Sequence, residues 1–534
     1  MKHCSAIAMA LAACVLLLAG ASSASTTHAH LRWGQGVPAA LPADAAIGAA
    51  AAATIEAVSC SSPGNCSAVG GYVDGDEVAR GLLLTETAGK WARGVEAVLP
   101  ANADPTSHGP FLESISCSSP GNCAAIGGYT DNAGHLQGLL LTETAGVWGP
   151  GVEAALPANA IPDNQLVLLG SVSCPADGEC VAVGAYNVNS DTHALVLTET
   201  AGTWATGAEL ATPGDAPVLA ASSVSCPAVG KCTAVGEYIN DGGNSLPVMW
   251  TESTGVWEAG VAAALPANLS SAPGYEAYLG SVSCASAGNC TAVGEYNEGP
   301  YWGDGLLLTE KAGTWGKGVE AIPPSGVKEG AVQLTAVSCA SARSCTVLGD
   351  YDDRSLSYAF ALSKKRGVWS RGVVPPLARD AQLDSVSCAS PGDCSVVGND
   401  IFNGRPVLLD ETAGTWKARF ASLPSGTHGG GLNAVSCASA NYCAAVGKYT
   451  TRSHASGGLL LDGSPTPPCV VPELGHRTLR AARKIITSAN CSVGAVRYAR
   501  SRKVKSGHVI SQRPRPDKRL KYDARIDLVV SAGR

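Results

Sequence analysis

Sixteen cysteines of this chain form eight pairs with a constant separation of six positions: Cys60 with Cys66, Cys117 with Cys123, Cys174 with Cys180, Cys226 with Cys232, Cys284 with Cys290, Cys339 with Cys345, Cys388 with Cys394 and Cys437 with Cys443. Successive first members lie 57, 57, 52, 58, 55, 49 and 49 residues apart. Such a period is roughly that of a propeller blade and exceeds that of a leucine-rich or ankyrin repeat. Most of the 534 residues therefore belong to one repetitive unit rather than to several unrelated domains.

Each unit contains four short β-like stretches, as in the first: "AVSC" (57–60), "CSAVGGY" (66–72), "GLLLTET" (81–87) and "KWARGV" (90–95). "SSPGN", "VDGDEVAR" and "AG" separate them and are rich in turn residues. Four antiparallel strands per unit make a propeller blade. The eighth unit keeps its cysteine hairpin and "GGLLLDG" (457–463) but has no Trp strand, whereas a surplus one, "RWGQGV", stands at 32–37. Trp33, Trp91, Trp148, Trp204, Trp257, Trp315, Trp369 and Trp416 then supply one outer strand per hairpin. The N-terminal strand is thus expected to complete the last blade and close the ring, which resembles the strand exchange of WD-repeat propellers. An open solenoid, the rival architecture, predicts no matching deficit at the two ends.

Other recurring positions read as structural. Gly70, Gly127, Gly184, Gly236, Gly294, Gly349, Gly398 and Gly447 share one slot, where close backbone approach or a kink is expected. Tyr follows two residues later from Tyr72 to Tyr449, except at Asp400, and this stripe is expected to pack between blades. Ser171 and Ser173 suit a crowded innermost strand by their size.

Residues 1–24, "MKHCSAIAMALAACVLLLAGASSA", have the pattern of a secretory signal peptide with cleavage after Ala21 or Ala24. A retained anchor is the alternative, because the run from Cys4 to Leu18 approaches the roughly 18 to 20 residues that span a bilayer. "LAAC" ending at Cys14 resembles a lipoprotein site but is followed by apolar VLLLAG. No later segment is apolar and long enough to span, so no membrane span is expected after cleavage. Export implies an oxidising compartment, and a structural zinc site would need two further ligands per cysteine pair. The eight hairpin pairs are accordingly expected to be disulfides, with no metal and no cofactor.

In a four-stranded blade the first and third turns share one face of the ring, and the second turn and the interblade connection share the other. The first face is uniform here. The second varies in length and chemistry, as "VDGDEVAR" (73–80), "NEGPYWGDG" (297–305) and "ANADPTSHGPFLE" (101–113) show. A ligand is expected on this second face, with Tyr301 and Trp302 as aromatic candidates. No HExxH, GxSxG or phosphate-loop motif is present. Asp74, Asp76 and Glu77 fit turn formation better than catalysis or calcium binding. "TETAGKW" (85–91) sits where sialidase-like propellers carry an Asp-box, but Thr87 replaces the required Asp, so that activity is not carried over. No catalytic residue is assigned.

The composition changes after "DGSPTPP" (462–468), a Pro-rich linker. Residues 469–534 contain 16 Lys/Arg and 4 Asp/Glu, a net of +12, which leaves −19 for the rest of a chain whose total is −7. Leu479, Ala482, Ile485 and Ile486 form one apolar helix face, and the later stretches alternate as strands. With "VVPELGHRTLRAARKIITSANCSVG", "HVISQRPRP" and "IDLVVS", the segment resembles a PASTA domain. The resemblance implies a small α+β fold in which Cys469 and Cys491 bridge the first strand to the end of the helix. It also implies binding of peptidoglycan or its fragments outside a bacterial cell. Only one copy is present, without a kinase or transpeptidase module, so avidity from linked copies is absent. Arg500, Arg502, Lys503 and Lys505 offer charge attraction to an anionic wall polymer, and Gln512 and Arg513 stand as further ligand-binding candidates.

The sequence thus predicts a mainly β protein: signal peptide 1–24, an eight-bladed β-propeller over 25–461, linker 462–468 and a PASTA domain over 469–534. The expected protein is secreted and extracellular or cell-wall associated. It acts as a scaffold whose tail binds peptidoglycan or an anionic wall polymer while the ring binds an unknown protein or glycan, without a nucleic-acid partner. The alternative is a wall-targeted glycosidase or lyase with its site on the variable face.

Overall fold

The computed structural model describes residues 31–534 apart from 107–108, 162–165, 190, 270–275, 298–302, 326–330, 354–355, 379–380, 466–468 and 521–523. The signal-like segment 1–24 lies outside the described residues. Among the described residues no helix is long and apolar enough to cross a membrane.

Eight antiparallel sheets form eight blades. In blade 1 the inner strand Ala53–Ser62 pairs with Asn65–Val73, which pairs with Ala79–Thr87. The outermost strand, expected to be continuous, is split into Lys90–Trp91 and Val95–Glu96, both paired with Ala79–Thr87. Gly94 lies in the break and donates its N–H to the Ala40 carbonyl in blade 8 at 2.7 Å. A Cβ on Gly94 would come within 2.6 Å of Leu82. Blade 7 has Arg419 at this position, and its outer strand Thr415–Phe420 continues unbroken. The glycine therefore lets the strand bend towards the neighbouring blade.

Inner strands of successive blades pack side by side, and that of blade 8, Thr427–Ser439, packs against that of blade 1. The ring is closed. Leu31–Trp33 supplies the outer edge of blade 8, with Trp33 opposite Gly463 and Leu31 opposite Pro465, and Val37–Pro38 pairs with Leu459 and Leu460. The third strand of blade 8 runs over Ser456–Pro465, so the pairing continues through residues 462–465, where the composition predicts the start of the linker. Closure leaves fewer unpaired strand edges to recruit another chain.

The apolar core lies between blades rather than within them. One buried cluster occupies each of the eight interfaces; that between blades 8 and 1 joins Tyr442, Ala444 and Leu460 to Ile55, Tyr72 and Leu84. Tyr72, Tyr129, Tyr186 and Tyr296 are fully buried there, as the repeated stripe predicts.

All eight cysteine hairpins are disulfide-bonded. In blades 1 to 4 the bridges join Cys60 to Cys66, Cys117 to Cys123, Cys174 to Cys180 and Cys226 to Cys232. In blades 5 to 8 they join Cys284 to Cys290, Cys339 to Cys345, Cys388 to Cys394 and Cys437 to Cys443. The Cα atoms of each pair lie 4.0 to 4.1 Å apart. The second member of every pair, at the start of the second strand, is buried: Cys66, Cys123, Cys180, Cys232, Cys290, Cys345, Cys394 and Cys443. Closing so short a loop stabilises each blade by about 2 kcal/mol on a chain-entropy account.

The serine beside each hairpin does more than fit a crowded strand. Ser59, Ser116, Ser173, Ser225, Ser283, Ser338, Ser387 and Ser436 each accept, through Oγ, the backbone N–H of the first hairpin cysteine of the next blade, at 2.9 to 3.0 Å. The bond from Cys60 to Ser436 completes the circuit. Further out, a buried glutamate on the third strand faces the preceding blade: Glu143 accepts from Ser67 at 2.7 Å and Thr85 at 2.6 Å, and Glu199 accepts from Thr142 at 2.7 Å. Burial pushes these carboxyls up from their ordinary range, with the hydroxyl donors opposing the shift. In blade 6 this glutamate is replaced by Lys364.

The C-terminal unit has its own core. Helix Leu479–Ser488, capped by the Thr478 side chain, places Ala482 and Ile486 against Val509, Ile526, Leu528 and Val530. Arg525–Ser531 runs parallel to Ser492–Ala499 and antiparallel to Val509–Arg513. The Cys469–Cys491 disulfide is present and buried.

Replacing Ser436 with Ala should remove the acceptor of the Cys60 N–H at the closing interface. We expect a loss of about 1 to 2 kcal/mol in denaturant unfolding, the cost of a half-buried donor left unpaired, with all disulfides intact by mass spectrometry.

Candidate functional site

The site begins with a backbone irregularity that all blades share. In blade 1 Ile55 pairs with Gly70 and Ala57 with Val69, so Glu56 is the extra residue of a β-bulge. The same slip occurs four positions before the first hairpin cysteine in every blade. It explains the invariant glycine: a Cβ on Gly70 would lie 2.1 Å from the Thr54 carbonyl oxygen, and the other seven glycines meet similar obstruction. The bulged residues are Glu56, Glu113, Gly170, Ser222, Gly280, Thr335, Asp384 and Asn433. Constant backbone thus presents variable chemistry.

Blades 7, 8, 1 and 2 are neighbours in the ring, and their bulged residues Asp384, Asn433, Glu56 and Glu113 line one cavity of ≈ 570 Å³ with Pro110 and Phe111. That volume suits a small ligand or a short stretch of polymer. Asn433 Nδ2 donates to Glu56 Oε2 at 2.9 Å and to the Ile55 carbonyl at 3.0 Å, while Thr54 Oγ1 donates to Glu56 Oε1 at 2.9 Å. Asn399 donates to Asp384 at 2.8 Å and accepts the Leu432 N–H at 2.9 Å, which fixes the Asp384 carboxyl between blades 7 and 8.

Burial raises several acids on the first and second strands of the blades. Burial, followed by the charge of Asp350, pushes Asp384 up to about 7, and burial with the Asp352 charge pushes Asp350 up to about 6. Burial and then Glu56 raise Glu113, while burial and then Glu276 act on Glu237 and Glu295, each of which also has a hydroxyl donor. A carboxyl whose proton is held up to about neutrality can both donate and accept protons in one cavity. Among the described residues no group of three or more His, Cys, Asp or Glu side chains is arranged to hold a metal.

Reading the repeat for constant residues passes over these acids, because Glu, Glu, Gly, Ser, Gly, Thr, Asp and Asn look like noise at a tolerant position. Their signal is one variable column inside an otherwise uniform strand. Tyr301 and Trp302 lie outside the described residues. Asp74 forms a turn, as its spacing predicts: Oδ1 accepts from Asp76 N at 3.0 Å and Val78 N at 2.9 Å, and Oδ2 accepts from Arg80 Nε at 2.8 Å.

In the C-terminal unit, Arg500, Arg502, Lys503 and Lys505 are exposed on the loop between Ser492–Ala499 and Val509–Arg513. Ser501 Oγ accepts the N–H groups of Lys503 and Val504 at 3.2 and 3.1 Å, and Ser531 Oγ donates to the Val504 carbonyl at 2.8 Å. The backbone is held and the cationic side chains face solvent. Gln512 stands apart from them: its amide accepts from Leu474 N and donates to the Pro472 carbonyl, both at 2.8 Å, and ties the strand to the start of the unit. Arg513 is exposed and lies across from Asp527 in the sheet.

Residues 470–532 match the family model of the PASTA domain. The C-terminal unit is a PASTA domain. No curated protein matches the chain. Among solved structures, the Dos1 propeller is 9% identical over 81% of this chain and 95% of its own, with a TM-score of 0.41. YCF48 bound to D1 peptide is 12% identical over 83% and 99%, with a TM-score of 0.38. The polysaccharide lyase Uly1 is 10% identical over 64% and 88%, with a TM-score of 0.40. At these identities and scores none of them bears on activity, whereas the PASTA match supports the fold and suggests an association with the cell wall.

Two outcomes test the bulge and the cavity. Gly70→Ala should cost about 3 kcal/mol or more by forcing backbone apart, whereas Gly71→Ala, whose Cβ would sit 3.5 Å from the Arg80 carbonyl, should change stability by about 0.5 kcal/mol or less in the same urea titration. Asp384 binds its proton more tightly folded than unfolded, so its ionisation opposes folding fully above pH about 7, and that penalty fades as pH falls towards 4. Asp384→Asn should therefore raise Tm most at pH 8, and the gain should shrink steadily to nothing near pH 4.

Proposed function

We propose that this protein is a secreted bacterial scaffold held at the cell envelope by its PASTA domain, with the propeller binding a protein or glycan. The single observation that carries the reading is the PASTA domain at 470–532, whose ordered loop points Arg500, Arg502, Lys503 and Lys505 into solvent. Nine disulfides among the described residues fit an oxidising, extracellular setting. Peptidoglycan or an anionic wall polymer is the proposed ligand of the tail. At the propeller, the proposed surface is the cavity lined by Glu56, Glu113, Asp384 and Asn433, whose Phe111 and Pro110 offer an apolar wall beside hydrogen-bonding groups.

One observation supports a second reading, a wall-targeted glycosidase or lyase. Asp384, raised to about 7, shares that cavity with Glu56 and Glu113, and a pair of carboxyl groups is what glycoside cleavage employs. Release of reducing ends from wall polysaccharide that Asp384→Asn abolishes would favour the enzyme over the scaffold.

Retention on purified peptidoglycan sacculi tests the tether. Residues 25–534 and 469–534 should be retained, and residues 25–468 should remain in solution. Retention should persist above about 0.3 M salt, where the Debye length falls below roughly 6 Å. Loss of binding there would reduce the interaction to charge attraction, and absence of binding at low salt would overturn the tether.

A further inference from the structure

Where the seams follow the repeat, one carboxyl meets hydroxyl donors. Thr85 and Thr142, on the third strands of blades 1 and 2, donate to Glu143 and Glu199 of the next blade. The threonine column continues as Thr198, Thr251, Thr309 and Ser363 but becomes Asp410 in blade 7 and Asp462 in blade 8. Asp410 faces blade 8, which has Gly463 at the glutamate position. Asp462 faces blade 1, which keeps Glu86. The seam between blades 8 and 1 therefore sets one acid against another.

Tyr442 stands between the two. Its hydroxyl oxygen lies 2.7 and 2.8 Å from the Glu86 oxygens and 3.3 Å from Asp462 Oδ1, to which Trp91 Nε1 also donates at 3.4 Å. Glu86 is only 2% exposed. A phenol has one hydrogen and cannot serve two carboxylates at once. Among the described residues no cation bears on either carboxyl, and Arg32 and Lys90, on the outer strands of the two blades, are exposed. Two buried like charges sharing one donor are costly, and a second proton removes that cost. With Glu86 protonated, its carboxyl donates to the phenol oxygen and the phenol hydrogen turns to Asp462. One charge then remains, held by the phenol and the Trp91 indole. Burial, and then the charge of Asp462, push Glu86 up to about 7 against the Tyr442 hydrogen bond. Burial raises Asp462 as well, with the Trp91 and Tyr442 donors opposing, and burial with both carboxyls holds the phenol higher still.

The position of the pair gives it leverage over closure. The Asp462 carbonyl accepts the Gly34 N–H at 2.9 Å, and the adjacent Gly463 pairs with Trp33. The strand that carries the acid is thus the strand that seats the N-terminal segment and completes blade 8. We propose that this seam is a proton-operated latch: Glu86, Tyr442 and Asp462 together hold one proton beyond the phenol's own, and its release to solvent loosens the seat of the N-terminal strand. The latch is independent of the PASTA domain, of the tether and of whatever the ring binds. Glu86 binds its proton more tightly in the folded ring than in the unfolded chain, so its contribution is full below pH about 4.5 and is lost as pH rises through about 7.

Amide hydrogen exchange of residues 25–534 at pH 6 and pH 8, corrected for the intrinsic rate at each pH, tests this. In the wild-type protein the amides from Leu31 to Gly34 should lose protection by about tenfold or more at the higher pH, the factor that one unit of proton linkage supplies. Asp462→Thr writes the threonine of blades 1 to 5 into blade 8. Glu86→Gln leaves a neutral donor and acceptor against Tyr442. Each variant should show the same protection at both pH values. Glu199→Gln, in a seam that keeps its threonine, should leave the wild-type loss in place. Should Glu86→Gln fail to fold, Asp462→Thr decides the matter. Equal protection of the wild-type strand at the two pH values, a loss that persists in both latch variants, or a loss spread evenly over all eight blades overturns the proposal.

Discussion

The structure depends on the bond from each hairpin cysteine N–H to the serine hydroxyl of the preceding blade. An inner propeller strand has a neighbour within its blade on one side only, so it needs lateral partners for groups that face the next blade. The serine provides one without bulk. The adjacent disulfide fixes where the cysteine N–H points, and the two together set the rotation from one blade to the next. Since the last such bond, from Cys60 to Ser436, has the geometry of the other seven, the final interface fits as the internal ones do. The N-terminal strand that completes blade 8 then adds a covalent tie across the interface that chain connectivity would otherwise leave open.

A rigid frame explains how one position can vary freely. The β-bulge takes its shape from the backbone and from the glycine beneath it, and nothing in it requires a particular side chain at the extra residue. Four adjacent blades carry Asp384, Asn433, Glu56 and Glu113 there, while blades 3, 4 and 5 carry Gly170, Ser222 and Gly280. The acids at the bulge are therefore concentrated in one arc of the ring. Their mutual repulsion is accommodated because Asn433, Thr54 and Asn399 hold two of them by hydrogen bonds and because burial keeps Asp384 protonated up to neutral pH.

Much of the fold is legible in the sequence because the repeat records it eight times. The cysteine spacing gives the hairpins, the count of Trp strands gives closure, and the apolar positions from Leu479 to Ile486 give the PASTA helix. Other features are hidden for physical reasons. The break at Gly94 and the bulge at Glu56 are backbone events in which a neighbouring strand decides the conformation, so no local propensity announces them. The glutamates at 86, 143 and 199 look like exposed turn residues, yet each is buried against a blade whose matching residues lie some fifty positions away or at the other end of the chain. The end of blade 8 is extended to Pro465 by pairing with Leu31, a partner more than four hundred residues distant.

A ring of repeated interfaces also changes what a departure from the pattern means. Closure is shared by eight serine bonds, eight apolar clusters and a glutamate at most seams, so one seam can lose its glutamate without opening the ring. Blade 8 shows this: Gly463 stands at the glutamate position, and at the seam with blade 7 the carboxylate comes from the other side, Asp410, which accepts from Ser395 Oγ at 2.9 Å and from Trp33 Nε1 at 3.1 Å. That substitution is compensated within the seam, since Asp410 meets the serine hydroxyl that a glutamate of the next blade meets elsewhere. Blade 6 repairs its seam with blade 5 in another way. Lys364 stands where the glutamate would be, and its Nζ donates to the Thr291 and Thr309 hydroxyls at 3.4 Å and lies 5.5 Å from the Trp369 ring centroid. An exception to a repeat is structural repair where the new group is satisfied by its own neighbours, and the aromatic ring and the two hydroxyls do this for a cation that the repeat elsewhere replaces with an anion.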